Sequence, residues 1–227
     1  MLAAGADPKA KDRQGRTASD AAITSHPTDL ADPKVVEDWR TIVALVWKDS
    51  QARSAKPSGP TQWSLEYSVG HGQTDATQML LALGQDPNAA GTTGTFPLAD
   101  AALKGDLGDV RLLLGYGARV DAVSPTGTQP IHDAALGDNP AVIRELASHG
   151  AKIDARSRGE AQTPLHFAAA MGRMRAAEVL VTLGADLTIK DSQGRTAVEV
   201  AERAGLADVG TFLRNAIAAR GVPAVVK

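Results

Sequence analysis

The sequence predicts an all-α fold in which short helix pairs stack along one direction, as in a helical solenoid. Apolar residues at the first core position of the repeat are separated by 33, 33, 34 and 33 residues: Leu65, Leu98, Ile131, Leu165 and Val198. Glycines that end the second helix of each pair follow with intervals of 33, 33 and 34: Gly84, Gly117, Gly150 and Gly184. Because both series slip by one residue at the same place, they indicate an internal repeat. An aromatic content of only 4% also suits alanine-spaced helix pairs better than a β core.

The repeat unit is clearest at residues 163–186. Thr163 is a good N-cap and Pro164 suits the first helical position, so a helix is predicted to begin there. Leu165, Ala168 and Ala169 then form one apolar face, small enough to admit a neighbouring helix closely. A second helix follows with its own apolar face and ends near Gly184; that face is supplied by Val179, Leu180 and Leu183.

These motifs resemble the ankyrin repeat family, whose helix–turn–helix unit has a period of about 33 residues. The resemblance rests on the T-P-L-H run 163–166 and the G-A-D run 184–186, and it covers nearly the whole chain. It implies a solenoid of about six helix pairs joined by finger loops, which functions by binding another protein. We therefore expect residues 1–227 to form a single elongated domain.

The N-terminal part departs most from the pattern. Residues 1–16 match the end of a repeat and its finger, so the natural protein is expected to extend upstream. Residues 17–62 are predicted to form a first helix pair with an insertion at 24–33 and a long loop at 49–61. Its second helix carries Trp39 and Trp47, which favours either a reinforced end of the stack or a partner-binding surface.

Five further repeats are predicted over residues 63–220. The finger loops are expected at 86–96, 120–129, 153–162 and 187–195, with an inserted residue within 156–162 and glycines free to adopt positive φ. Polar residues of a C-terminal cap follow the last pair, namely Arg214, Asn215 and Arg220. Residues 221–227 show no repeat pattern and are interpreted as a tail.

The sequence lacks the residues and motifs that several classes of function require. A net charge of −2 gives no basis for binding nucleic acid, and no apolar stretch of about 18 residues predicts a membrane span. Cysteine is absent, and neither a phosphate-binding loop nor a nucleophile motif occurs. The five histidines lack metal-ligand spacing, and His132 and His166 are predicted to bond back to their helix caps. We predict no enzyme activity, no cofactor and no metal.

The surface left for function is the side of each first helix opposite the core. Seven side chains on it, here called the first-helix strip, are the predicted partner-binding residues: Tyr67, His71, Asp100, Lys104, Asp133, Phe167 and Met171. In an ankyrin-like stack this strip lines the concave side. Val200 occupies the equivalent position in the last repeat, so it is also predicted to be exposed. Two alternatives remain open: the acidic residues form a solvated face with Asp100 and Lys104 paired, and Phe167 packs against the next finger.

The sequence favours a protein-binding module, and an inhibitor or immunity-type protein that covers a partner's active site is the preferred form. The alternatives are a host-directed effector, or an assembly scaffold that uses the tryptophan-rich first pair. The alanine- and glycine-rich composition is typical of bacteria. We expect a monomer when alone, in the cytoplasm by default, or in the periplasm or secreted if an upstream signal has been removed.

Overall fold

The computed structural model describes residues 64–82 and 84–220, all within one compact unit, Gly59–Lys227. The predictions for the N-terminal remnant, the tryptophan-containing first pair, the 49–61 loop and the 221–227 tail lie outside the described residues. The part described is all-α and shows no strand. Its ten helices are α1 (Leu65–Gly70), α2 (Thr74–Ala82), α3 (Pro97–Lys104), α4 (Leu107–Gly115), α5 (Pro130–Leu136), α6 (Pro140–Ser148), α7 (Pro164–Ala170), α8 (Met174–Thr182), α9 (Ala197–Arg203) and α10 (Ala207–Ala219).

The helix starts follow from the residues that precede them. Pro164 occupies the first turn of α7 and Thr163 is its N-cap, as predicted. Proline also opens α3, α5 and α6, where its missing N–H removes no helical hydrogen bond. In α9, the N-cap Thr196 and Glu199 bond reciprocally, since the Glu199 carboxylate accepts from the Thr196 amide at 2.8 Å.

The helices form two layers. Each first helix packs on the next, from α1 through α3, α5 and α7 to α9, and the second helices, α2 to α10, pack in the same way. The apolar residues that defined the repeat are buried between the layers, and paired alanines allow close approach. Residues almost fully buried in successive second helices are Leu80, Leu113, Leu146, Leu180 and Leu213.

The four finger loops occur where they are predicted, and each tip is a turn. The glycines expected to take positive φ do so, at 79° for Gly94, 85° for Gly127 and 75° for Gly194. Adjacent fingers are joined through their backbones, because the Arg158 amide donates to the Gly127 carbonyl at 2.9 Å. The Ser192 amide likewise donates to the Glu160 carbonyl at 2.8 Å.

The last helix carries the polar residues expected of a cap. The Arg220 guanidinium donates to the carbonyl of Ala185 at 2.7 Å and also to that of Val181, at the end of α8. Arg214 pairs with Glu202 of α9. The Arg220 contacts satisfy carbonyl groups in and just after the last turn of α8 and tie α10 to the preceding repeat.

Two positions differ from the sequence prediction. Leu183 was placed on the apolar face of α8, but it is the C-cap residue and is 37% exposed, because the helix ends at Thr182. Val200 was expected at the surface, but it is only 7% exposed. A helical wheel treats each helix alone, whereas the neighbouring helices of a stack cover part of this position.

Candidate functional site

The first-helix strip begins with two rings on α1. The imidazole of His71 stacks on the phenol ring of Tyr67, with centroids 3.9 Å apart and planes 22° from parallel. The His71 ring nitrogen Nδ1 also lies 2.8 Å from the Tyr67 carbonyl oxygen. His71 is exposed and Tyr67 is half-buried, so the pair presents a flat polar and aromatic surface at this end.

The centre of the strip consists of two aspartates held alike in successive repeats. The Thr95 hydroxyl donates to the Asp100 carboxylate at 3.4 Å, and the Thr128 hydroxyl donates to the Asp133 carboxylate at 3.3 Å. Asp133 Oδ2 is buried and has no hydrogen-bond partner among the described residues. The strip therefore contains a carboxylate oxygen whose bonding capacity is unused.

Burial shapes the electrostatics of both aspartates. Burial raises the pKa of Asp133 to about 7, and the charge of Asp100 acts in the same direction, against the Thr128 hydrogen bond. Burial likewise raises the pKa of Asp100, opposed by Thr95 and Lys104 and reinforced by Glu66. A cationic group placed beside this pair would lower both pKa values and favour the charged forms.

Lys104 does not pair with Asp100 in the way the sequence suggested. Its ammonium group instead donates to the carbonyl of Gly70 and, at 3.4 Å, to that of Val69. These carbonyls belong to the last turn of α1, where the helix dipole favours a positive charge. Lys104 therefore bridges two repeats, and the Asp100 carboxylate has no salt-bridge partner within the described part of the chain.

The two apolar residues at the other end of the strip differ in how far they are buried. Phe167 is half-buried, and its ring meets the His132 ring edge to face, with centroids 5.3 Å apart. It thus packs against the preceding repeat, whereas the sequence alternative placed it against the next finger. Met171, the C-cap residue of α7, is 56% exposed. A flexible thioether is left accessible beside a partly covered aromatic ring.

The two buried histidines are fixed by hydrogen bonds on both ring nitrogens. His166 Nδ1 accepts from the Thr163 amide at 3.2 Å, and Nε2 donates to the Arg195 carbonyl of the next finger at 3.0 Å. His132 accepts from the Gln129 amide at 3.1 Å and donates to the Ala155 carbonyl at 3.0 Å. Burial lowers the pKa of both imidazoles, so they stay neutral and tie each first helix to its finger.

Comparison with protein families matches the repeats directly. A model described as ankyrin repeats (3 copies) matches residues 65–157, and one described as ankyrin repeats (many copies) matches residues 146–201. Together they span more than half of the chain. The chain belongs to the ankyrin repeat family. No curated protein matches it.

Ankyrin repeats form a protein–protein interaction module, and proteins built from them are generally non-catalytic. Among the described residues, no three acidic or imidazole side chains lie together as a metal site would require. None of the helices that the structure describes is long and apolar enough to cross a membrane. The family thus confirms the predicted protein-binding role at this general level.

One buried ionisable residue was not identified from the sequence. Asp109 of α4 is 0% exposed, and neither carboxylate oxygen has a hydrogen-bond partner among the described residues. Burial raises its pKa to about 6, and the charge of Asp106 adds to the effect. The nearby Thr74 and Thr77 hydroxyls oppose it only weakly, since neither forms a hydrogen bond of normal geometry to the carboxylate and the Thr77 hydroxyl donates to Ser68 and to the Gln73 carbonyl. An aspartate at the third position of a helix resembles an ordinary capping residue in sequence, so only the packing of α2 on α4 identifies it.

The electrostatic coupling between Asp100 and Asp133 in this ankyrin repeat protein can be tested on the isolated protein, without a binding partner. Replacing Asp100 with asparagine removes the charge that faces Asp133, so the pKa of Asp133 should fall. Carbon-detected NMR titration of the side-chain carboxyl measures it. Glu66→Gln is the matched control, because Glu66 acts on Asp100 and should leave Asp133 unchanged. An Asp133 pKa that is equal in wild type and Asp100→Asn would contradict the coupling.

Proposed function

We propose that this ankyrin repeat protein is a non-catalytic inhibitor or immunity-type protein that covers a partner's active site with its first-helix strip. The observation that carries the proposal is the thioether of Met171, which is 56% exposed and stands next to the half-buried ring of Phe167 and in line with the half-buried carboxylates of Asp100 and Asp133. An exposed apolar side chain beside a partly covered aromatic ring is typical of a surface that another protein covers.

The partner surface that fits this strip is basic at its centre and apolar beside it. A lysine or arginine placed over Asp100 and Asp133 would pair with the half-buried carboxylates and lower their raised pKa values, which favours the charged forms. An apolar side chain next to it would cover Met171 and the exposed part of Phe167. The acidic contacts would mainly provide specificity and a fast association rate.

The lack of chemistry at the buried histidines supports a non-catalytic role. Both ring nitrogens of His132 and of His166 are engaged with the backbone, so neither imidazole has a free nitrogen to accept a substrate proton. Their buried positions and lowered pKa values suit a structural function in the stack.

Truncating the strip should weaken binding to a captured partner in a residue-specific way. Met171→Ala and Phe167→Ala should each cost on the order of 2 kcal/mol, about thirtyfold in Kd, if they contact the partner centrally. Asp100→Ala should weaken binding more at low salt than at high salt, because screening reduces the contribution of exposed charges. Calorimetric titration of each variant measures these effects.

Two controls keep this result interpretable. Gln78→Ala, on the exposed side of α2, should bind as the wild type does. The stability of Phe167→Ala must be measured in parallel, since its ring also packs on His132. If the quadruple variant Asp100→Ala, Asp133→Ala, Phe167→Ala and Met171→Ala binds unchanged, the strip is the wrong surface. If the partner is an enzyme and its turnover is unaffected at saturation, the inhibitor role is wrong.

A further inference from the structure

A second surface lies at the tips of the fingers, apart from the first-helix strip. Three successive fingers line a shallow, open groove of about 470 Å³. We call it the finger groove; its lining residues are Gly94, Phe96, Val123, Ser124, Pro125, Thr126, Gly127, Arg158 and Gly159. Phe96, Val123 and Pro125 give it apolar walls, and Arg158 is its charged residue.

The third finger, which supplies Arg158 and Gly159, contains the inserted residue detected in the sequence. In the other three fingers the closing hydrogen bond joins residues four apart, as from the Ser124 amide to the Thr128 carbonyl at 2.9 Å. In the third finger it joins the Ser157 amide to the Gln162 carbonyl, five apart, at 2.8 Å. Ala161 takes a φ of 50°, which is unfavourable for a residue with a side chain. The insertion therefore makes this tip wider at an energetic cost.

The groove is fixed before any ligand arrives. A Cβ atom added to Gly127 would lie 2.8 Å from the Arg158 Cβ, and one added to Gly94 would lie 2.8 Å from the Pro125 Cγ. The hydrogen bond from the Arg158 amide to the Gly127 carbonyl joins the same two fingers. Because the fingers already contact one another at glycine positions, ordering the groove walls on ligand binding would cost little conformational entropy.

The charge of the groove points to an acidic ligand. Arg158 is exposed and has no carboxylate within salt-bridge distance in the part of the chain that is described. Arg195, in the fourth finger, is by contrast paired with Asp191 at 2.6 Å. The nearby Glu160 carboxylate is directed to the fourth finger, where it accepts from the Ser192 hydroxyl at 3.2 Å. Arg158 is thus available to a carboxylate from outside.

We propose that the finger groove binds an extended segment of a partner protein in which an acidic residue stands next to an apolar one. The apolar side chain lies against Phe96, Val123 and Pro125, and the carboxylate pairs with Arg158. The surface and the charge of its ligand differ from those of the first-helix strip, so it can be tested independently of the proposed function. Its role would be to add a second contact to the same partner, with the gain in affinity that two linked sites provide.

Selection from a phage library of random 12-residue peptides tests the proposal without a known partner. Peptides enriched equally on the wild-type protein and on the quadruple variant of the first-helix strip bind outside the strip, and they should share an acidic residue adjacent to an apolar one. Arg158→Glu should weaken their binding about tenfold or more, because a charge-assisted hydrogen bond is replaced by repulsion. The matched control Arg144→Glu reverses an exposed charge on α6 and should leave binding unchanged.

Two further variants complete the experiment. Deleting Ala161 restores the 33-residue period and should reduce binding, provided that circular dichroism shows the helices to be intact. The quadruple variant of the first-helix strip should bind the selected peptides as the wild type does, which separates failure of this proposal from failure of the proposed function. Enrichment without an acidic bias, no enrichment at all, or unchanged binding to Arg158→Glu would each overturn the proposal.

Discussion

Replacing His132 with alanine is expected to lower the free energy of unfolding by about 3 kcal/mol, the cost of removing a large buried side chain together with its hydrogen bonds. The imidazole is fully buried, and its Nε2 lies 3.0 Å from the Ala155 carbonyl oxygen and 3.2 Å from that of Gln162. Its loss leaves these carbonyls unsatisfied and opens a cavity beneath Phe167, whose ring rests on the imidazole. Chemical denaturation followed by circular dichroism measures the change.

His71→Ala is the matched control for this experiment. His71 is exposed, and among the described residues its side chain hydrogen-bonds within its own turn, to the Tyr67 carbonyl. Its removal should change the free energy of unfolding by less than about 0.5 kcal/mol, as is usual for surface substitutions. If His132→Ala unfolds at the same denaturant concentration as His71→Ala, the buried histidines do not hold the fingers to the stack.

Asp109→Asn is expected to stabilise the protein by about 3 kcal/mol at pH 8, since one pKa unit corresponds to about 1.4 kcal/mol. The folded-state pKa of Asp109 is raised to about 6 from an ordinary value of 3.8. The folded state therefore holds the proton more tightly than the unfolded state. The wild type loses this contribution to stability as the pH rises from about 4 to about 6, and asparagine never ionises.

Thermal unfolding between pH 4 and pH 8 measures this effect. The melting temperature of Asp109→Asn should exceed that of the wild type at pH 8, and the difference should shrink toward pH 4. Asp121→Asn serves as a control, because Asp121 is exposed and lies 3.6 Å from Arg119 in a surface pair. An asparagine variant that is less stable than the wild type at pH 8 would mean that the charged carboxylate is satisfied.

The sequence predicts the repeat architecture well because the apolar residues that recur with the repeat period are the ones that the fold buries. Leu98, Ile131 and Leu165 are spaced by the repeat and are all buried, and the histidines that follow Ile131 and Leu165 bond to their caps as expected. The inserted residue was also located correctly, since both marker series shift across it. These features depend on capping and core residues that recur in each repeat, so the assignment of one repeat supports the assignment of the next.

Sequence reasoning is weaker for the strip, where the outcome depends on which neighbour a side chain meets. One alternative from the sequence pairs Lys104 with Asp100 on its own helix, whereas the ammonium group donates to carbonyls at the end of α1. Phe167 contacts the preceding repeat, and Val200 is covered by the stack. The burial of Asp109 arises from packing between α2 and α4, which the pattern of one helix does not encode.

The proposal that the first-helix strip meets a protein partner is tested most directly by photo-crosslinking in cells that produce the protein. Met171, which is 56% exposed, is replaced with p-benzoylphenylalanine, and Glu178, exposed on α8, is replaced in a matched control. We predict one discrete covalent adduct from position 171 and none from position 178, and mass spectrometry of the adduct identifies the partner. Adducts that form equally from position 178, or none from position 171, would contradict binding through the strip.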